Sequence, residues 1–280
     1  MLLSKDLLNK LGTGATFKEI SGKTLANVPI SVPPIPHQQH IVARLDAGFA
    51  EIDKLILSGE IKKSEIKKLY ASSITSIFFS DKDTKVIEIK EIAKIKGGKR
   101  LPKGEKLTSE VTKFPYIRVK DFTKEGSINE DSIKYISEDV KKKISRYTIS
   151  VEDVYISIAG TIGRTGVIPS SLNNANLTEN AAKIVLDNNC LRDYFYYFTT
   201  SASFINQTIA QTRATAQPKL SLERLEKVKL PLCSINKQKF IVDKAHKIQK
   251  YKDLLLNIID KEIKLYKVLK SKIIQDLIKI

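Results

Sequence analysis

The sequence predicts an α+β protein in which one mixed α/β domain lies between two long α-helices that pair as a coiled coil. Three observations predict it. The stretch VPISVPPIPHQQHIVARLD, Val28 to Asp46, returns two hundred residues later as VKLPLCSINKQKFIVDKAH, Val228 to His246. Each copy runs on into a helical pattern of about 40 residues, roughly 60 Å at 1.5 Å per residue. Between the copies the helical period gives way to short β-rich runs.

The repeat is exact at many positions. Val28 falls on Val228, Ile35 on Ile235, Gln38 on Gln238, Ile41 on Ile241 and Val42 on Val242, with Asp53, Leu55, Leu69 and Ile74 matched by Asp253, Leu255, Leu269 and Ile274. Upstream, GTGATFKEIS (Gly12 to Ser21) lies over TRATAQPKLS (Thr212 to Ser221). One module end is used twice, too far apart for a solenoid. In the first helix Ile41, Leu45, Phe49, Ile52 and Ile56 step by three or four, and Ile66, Leu69, Ile74 and Ile77 continue the stripe after a slip near Ser58-Gly59. In the second, Ile241, Ala245, Ile248, Leu255, Ile259, Tyr266, Leu269, Ile273 and Leu277 keep a similar register. Long helices with one apolar stripe and Lys/Glu elsewhere bury that stripe by pairing.

From Lys85 to Lys227 the runs KVIEIKEIAKI, FPYIRV, DVYISIAG, GVIP and AAKIVL are bounded by Gly, Pro and Asn breaks, which is strand chemistry. A helix is expected over Leu191 to Ile209. SDKDTK (Ser80 to Lys85) and LERLEK read as hinges or edges of this domain.

The formal charge is +17 in 280 residues, which points to a polyanionic partner, nucleic acid ahead of membrane. No apolar run approaches the roughly 18 residues of a membrane span, and MLLSKDLLNKLG has no cleavage signal. Cys190 and Cys233 show no paired spacing, which fits a reducing cytoplasm.

Catalytic constellations are poor. GTIGRTG places glycines at 160, 163 and 166, neither a dinucleotide fingerprint nor a P-loop, and these read as turn and close-approach positions. His37 and His40 lack further metal ligands and fit the start of the first helix better. Glu-Ile-Lys occurs at Glu65, Glu88 and Glu262 with no preceding Pro-Asp, and SVPPIP lacks the polar residue of a base-gripping methyltransferase turn. Cys190, with no neighbouring His, reads as a buried small hydrophobe. No catalytic residue, metal ligand or cofactor site is expected in this chain.

DNA reading needs Lys and Arg on phosphates and side chains that reach base edges. KIKGGKRLPKGEK gathers Lys94, Lys96, Lys99, Arg100 and Lys103 on a Gly-rich loop. Arg118 and Lys120 in YIRVKDF, Arg164 between two glycines and Arg213 in QTRATAQ complete the candidates. A solvated loop accounts for the first group equally well, and an internal salt bridge or loop-fixing bond for the others.

The sequence resembles the DNA-specificity subunits of type I restriction-modification systems. VPISVPPIPHQQHIVARLDAGFAEID, YIRVKDF, DVYISIAGTIGRTGVI, TENAAKIV and ATAQPKLSLERLEKVKLPL carry the resemblance, in the family's order. It implies a noncatalytic subunit in which target-recognition domains alternate with helices that pair antiparallel. On that pattern residues 1–27 are the remnant of a first recognition domain, 28–80 a first spacer-helix region, 81–227 a complete recognition domain and 228–280 a second spacer region. The implied partners are double-stranded DNA, modification subunits carrying S-adenosylmethionine and a restriction subunit using ATP and Mg²⁺. One full reader per chain leads to the expectation of a homodimer through the helices. The alternative is a coiled-coil scaffold or adaptor whose positive charge is incidental.

Overall fold

The structure, a computed structural model, describes residues 9–14, 19–28, 32–80, 84–212 and 219–277, with side chains to 274 in the last stretch. In chain order the helices and strands are α1 (Gly22–Ala26), α2 (Ile35–Phe78), β1 (Lys85–Glu88), β2 (Ala93–Gly97), β3 (Pro115–Ile117), β4 (Lys134–Tyr135) and α3 (Glu138–Lys143). They continue with β5 (Thr148–Ile149), β6 (Val154–Ser157), β7 (Thr165–Gly166), β8 (Ala175–Leu177), β9 (Ala181–Leu186), α4 (Arg192–Thr199), α5 (Ala202–Gln211), α6 (Leu222–Glu226), β10 (Lys229–Leu232) and α7 (Ile235–Leu277). Two compact units result, Met1–Ile66 with Asp253–Ile280, and Lys67–Lys252.

In the first unit the opening part of α2 and the closing part of α7 pair antiparallel. Asp53 meets Lys270 at 2.7 Å and Lys63 meets Asp260 at 2.6 Å, so numbers rise along one helix as they fall along the other. Ile52, Ile259 and Ile263 are buried between them. Gly59 lies in this seam, where an added Cβ would stand 2.9 Å from Ile263 Cδ1. The expected slip at Ser58-Gly59 is therefore no interruption. The helix is continuous, and glycine lets the partner's isoleucine approach the backbone.

The stripe itself needs correcting. Leu69, Leu255 and Leu269 are exposed, whereas Tyr70 is buried and Leu256, Ile259, Ile263 and Tyr266 are the more covered positions. Successive helical residues point about 100° apart, so Leu255 and Leu256 both satisfy the period. Packing against the partner decides between them.

Among its described residues the second unit holds three sheets. β1 pairs antiparallel with β10, from Lys85 opposite Leu232 to Glu88 opposite Lys229. A four-stranded sheet runs β2-β9-β6-β7, and another runs β4-β3-β8-β5, in which β3 and β8 are parallel. The main core gathers Tyr194, Phe195 and Phe198 of α4 with Ile156, Ile184, Leu225 and Leu230. Ile74 and Phe78 of α2 and Ile241 and Ala245 of α7 enter the same core. Phe78 sits 4.7 Å from the Tyr194 ring centre and 5.7 Å from Phe198; burying each such side chain contributes about 1.5–3 kcal/mol. A smaller core stacks Phe122 on Tyr155 at 4.0 Å with Ile149 and Leu177 around them.

Two sequence expectations change here. Residues 191–209 form two helices, because Ser201 turns its hydroxyl onto the Phe204 amide at 3.1 Å and starts α5 afresh. LERLEK is neither hinge nor edge. Its first five residues are α6, capped by Ser221 and burying Leu225.

Candidate nucleic-acid interface

The basic loop after β2 is held by its glycines and by backbone bonds. A Cβ at Gly98 would overlap the carbonyl oxygens of Leu177 and Thr178, so only glycine allows this approach. The Gly98 amide then donates to Ala181 O at 2.9 Å and the Lys99 amide to Leu177 O at 2.8 Å. Tyr116, buried on β3, donates its hydroxyl to the Lys99 carbonyl at 2.7 Å. With both backbone groups of Lys99 tied down, its side chain points outward, the ammonium 5.6 Å from the Tyr147 ring centre. Burial pushes the Tyr116 hydroxyl pKa up, which keeps it a donor.

Arg100 is 79% exposed at its side chain and donates Nε to Glu179 Oε1 at 2.7 Å. Glu179 is steadied from behind by Thr178 Oγ1 at 2.9 Å. Burial alone would raise the Glu179 pKa; hydrogen bonds from Arg100 and Thr178 outweigh it and leave the carboxyl below its ordinary value of 4.5. Farther along the loop Lys143 pairs with Glu105 at 2.9 Å. Lys96 and Lys103 are exposed. Gly97, Gly98, Lys99, Arg100, Glu179 and Lys219 are among the residues lining a cleft of about 480 Å³. The structure thus brings Lys96, Lys99, Arg100 and Lys103 together on one stretch of loop and strand.

The other candidates lie elsewhere. Arg118 turns inward: Nε and Nη2 bind the two oxygens of Asp121 at 2.9 and 2.7 Å, and Nη2 also reaches the Ser132 carbonyl. Asp121 is fully buried, so this guanidinium is committed within the fold. Lys120, on the short turn Val119–Asp121, is exposed. Arg164 donates its amide to Ser157 Oγ at 2.9 Å and its guanidinium to the Phe122 carbonyl at 2.9 Å, which fixes the turn between β6 and β7. Gly160 and Gly163 hold the left-handed conformation there, at φ 75° and 81°. Arg213 lies outside the described residues. Sequence reasoning missed Glu179, Tyr116 and Tyr147, which shape the loop's support. The acid in Thr-Glu-Asn was legible, but its pairing with an arginine 79 residues away was not.

His37 and His40 stand exposed near the start of α2. Cys190 is buried among the core residues, and burial pushes its thiol up to about 12.

A family model for the type I restriction modification DNA specificity domain matches residues 1–63 and 81–265. The chain belongs to this family. Among specificity subunits, that of the Escherichia coli EcoBI enzyme is 23% identical over 275 residues, covering 88% of this chain and 56% of the subunit. That of the Methanocaldococcus jannaschii MjaVIII enzyme is 21% identical over 264 residues, 88% of this chain and 61% of the subunit. The chain thus spans a little over half the length of these relatives. The specificity-domain fold is also seen in a solved chain described under complex assembly and conformational transition of the type I R-M system. It matches with a TM-score of 0.71 at 17% identity, covering 95% of this chain and 65% of that one. The HsdS subunit of Thermoanaerobacter tengcongensis matches at 0.53 and 16% identity, covering 98% and 67%.

Proposed function

We propose that this specificity-domain chain is a noncatalytic DNA reader, and that residues 81–227 choose the sequence it binds. The observation that carries the reading is the loop clamped by Gly98, which presents Lys99 and Arg100 outward beside Lys96 and Lys103. Such a rigid basic ledge suits phosphate contacts, which position a reader before any base is recognised. Exposed Lys120 and half-buried Arg164 serve as secondary contacts. Arg118 acts through the fold, by holding Asp121.

The paired helices, 28–80 and 228–280 with their approaches, serve as docking surface for modification subunits. Leu55, Leu57 and Ile61 on α2 and Leu254, Leu265 and Val268 on α7 are exposed in spite of their apolar character. A pattern of large exposed apolar residues marks an interaction face. The modification subunits would supply S-adenosylmethionine, and a restriction subunit ATP and Mg²⁺, in the cytoplasm. Self-association of two copies would also have to use these outer leucines, since Ile52, Gly59, Ile259 and Ile263 already close on one another within one chain.

The test is copurification with modification subunits followed by mapping of methylated adenines. Exchanging residues 81–227 for another reader of the family should change the methylated site and leave assembly intact. An unchanged target would overturn the assignment. Pure chain alone should retain DNA in a salt-dependent way and neither methylate nor cut it.

A further inference from the structure

Among the described residues of 81–227 the arginines divide sharply by what their guanidinium groups meet. Arg100 spends Nε on Glu179, Arg118 is forked onto Asp121, and Arg164 holds the Phe122 carbonyl. Arg192 binds Asp193 and the Val151 carbonyl, each at 2.8 Å, and Arg224 donates to the Gln211 carbonyl at 2.7 Å. Arg146 is exposed, and it alone of these described arginines meets no carboxylate or carbonyl of the fold.

The backbone that carries Arg146 is clamped. α3 runs out into a turn over residues 144–146, anchored by buried Ile144. Asn176, fully buried on β8, donates Nδ2 to the Ile144 carbonyl at 2.8 Å and to the Tyr147 carbonyl at 3.3 Å, so one side chain holds the turn on both sides of Arg146. The Leu177 amide also donates to Tyr147 O at 2.9 Å, while the Leu177 carbonyl accepts from the Lys99 amide at 2.8 Å. A single residue of β8 therefore ties the Arg146 turn and the basic loop to one strand. Side chains around Arg146 repeat the link: Lys143 pairs with Glu105 of the loop at 2.9 Å, and the Tyr147 ring centre lies 5.6 Å from the Lys99 ammonium.

We propose that Arg146 is a specificity-determining residue that reads the edge of a guanine, while Lys96, Lys99, Arg100 and Lys103 nearby take phosphates. A guanidinium with every donor unspent offers the planar fork that matches guanine O6 and N7, the acceptor pair that marks guanine in the major groove. The lysines are point charges on flexible stems, which suits phosphate better than a base edge. A clamped turn lowers the cost of ordering a base contact, and its tie to the basic loop keeps that contact in register with the phosphates. The inference rests on the reading of residues 81–227 as a DNA reader and names a side chain through which that reader chooses a base pair.

The full chain, with any modification subunits that copurify, is mixed with a pool of duplexes carrying a randomised central stretch, and the retained duplexes are sequenced. The parent should enrich one motif. Arg146→Ala should enrich the same motif with a single G·C position relaxed, losing about tenfold or more of the preference there. Its melting temperature should match the parent's, because no bond within the fold is lost. Lys103→Ala should keep every position of the motif and weaken all duplexes alike, with the slope of log affinity against log salt lower by about 1. An Arg146→Ala motif identical to the parent's, whether or not affinity falls, overturns the assignment of Arg146 and leaves the DNA reading standing. A lower melting temperature overturns it too, since Arg146 would then be a strut of the fold. A parent that enriches no motif overturns the reading of residues 81–227 itself, and the inference with it.

Discussion

Replacing Arg118 by Ala would remove both bonds that its guanidinium makes to Asp121, at 2.9 and 2.7 Å, together with its bond to the Ser132 carbonyl. Asp121 would keep the Arg118 amide at 2.8 Å and the Ser132 hydroxyl at 2.8 Å, but no cation, in a place with no access to water. Breaking a buried pair by removing one partner costs about 3–5 kcal/mol. The Arg118 side chain keeps 16% exposure, so water screens part of this and about 3 kcal/mol is the better figure. In a unit of this size each kcal/mol moves the melting temperature by about 2–4 °C, giving a fall of about 6–12 °C. The double replacement Arg118→Met with Asp121→Leu, which removes both charges, should recover most of it. Calorimetry on the parent and the two variants measures the change, and DNA retention at a temperature where all are folded measures function. A single variant that melts like the parent yet loses DNA would refute the reasoning, because Arg118 would then be a contact and not a strut.

Arg100→Ala should behave in the opposite way, with melting unchanged and DNA affinity falling roughly tenfold. If its contact is a phosphate, the slope of log affinity against log salt drops by about 1 and all sequences weaken alike. Gly59→Ala gains about 1 kcal/mol of helix propensity but overpacks against Ile263, at about 1–3 kcal/mol, so calorimetry should find a net loss that Ile263→Ala lessens in the double variant. Burial raises the Cys190 thiol from 9.0 to about 12 in the folded state. Stability tied to that thiol is complete below pH 9 and lost as pH rises toward 12, and disulfide-exchange reagents should modify it only as fast as the chain unfolds.

Long-range order was legible where the sequence repeated itself. The starts of α1 and α6, and of α2 and α7, lie two hundred residues apart, as the paired motifs predict. What escaped were choices between neighbours on one element. Leu69 and Leu269 drew attention because both copies keep them, yet both are exposed, and Tyr70 is buried in place of Leu69. Identity between copies marks a shared demand, and here that demand lies on the outer face. The break at Thr200-Ser201 was hidden because apolar spacing continues across it while one serine hydroxyl ends the helix locally. Of the candidate site, the basic loop was readable from composition and glycine content. The difference between Arg100 and Arg118 was not, because it depends on which carboxylate each meets in space.

The pairing of β1 with β10 places the incoming and outgoing strands of the proposed reader side by side, Lys85 against Leu232. A domain that leaves where it arrived can be lifted out as a cassette while the flanking helices keep their register. The duplicated exit sequence adds something at the level of inheritance. If the segment is the reader proposed above, recombination between genes of such subunits would find the same flanking text at both of its ends, and crossovers there would exchange a whole target preference at once and leave the joints intact.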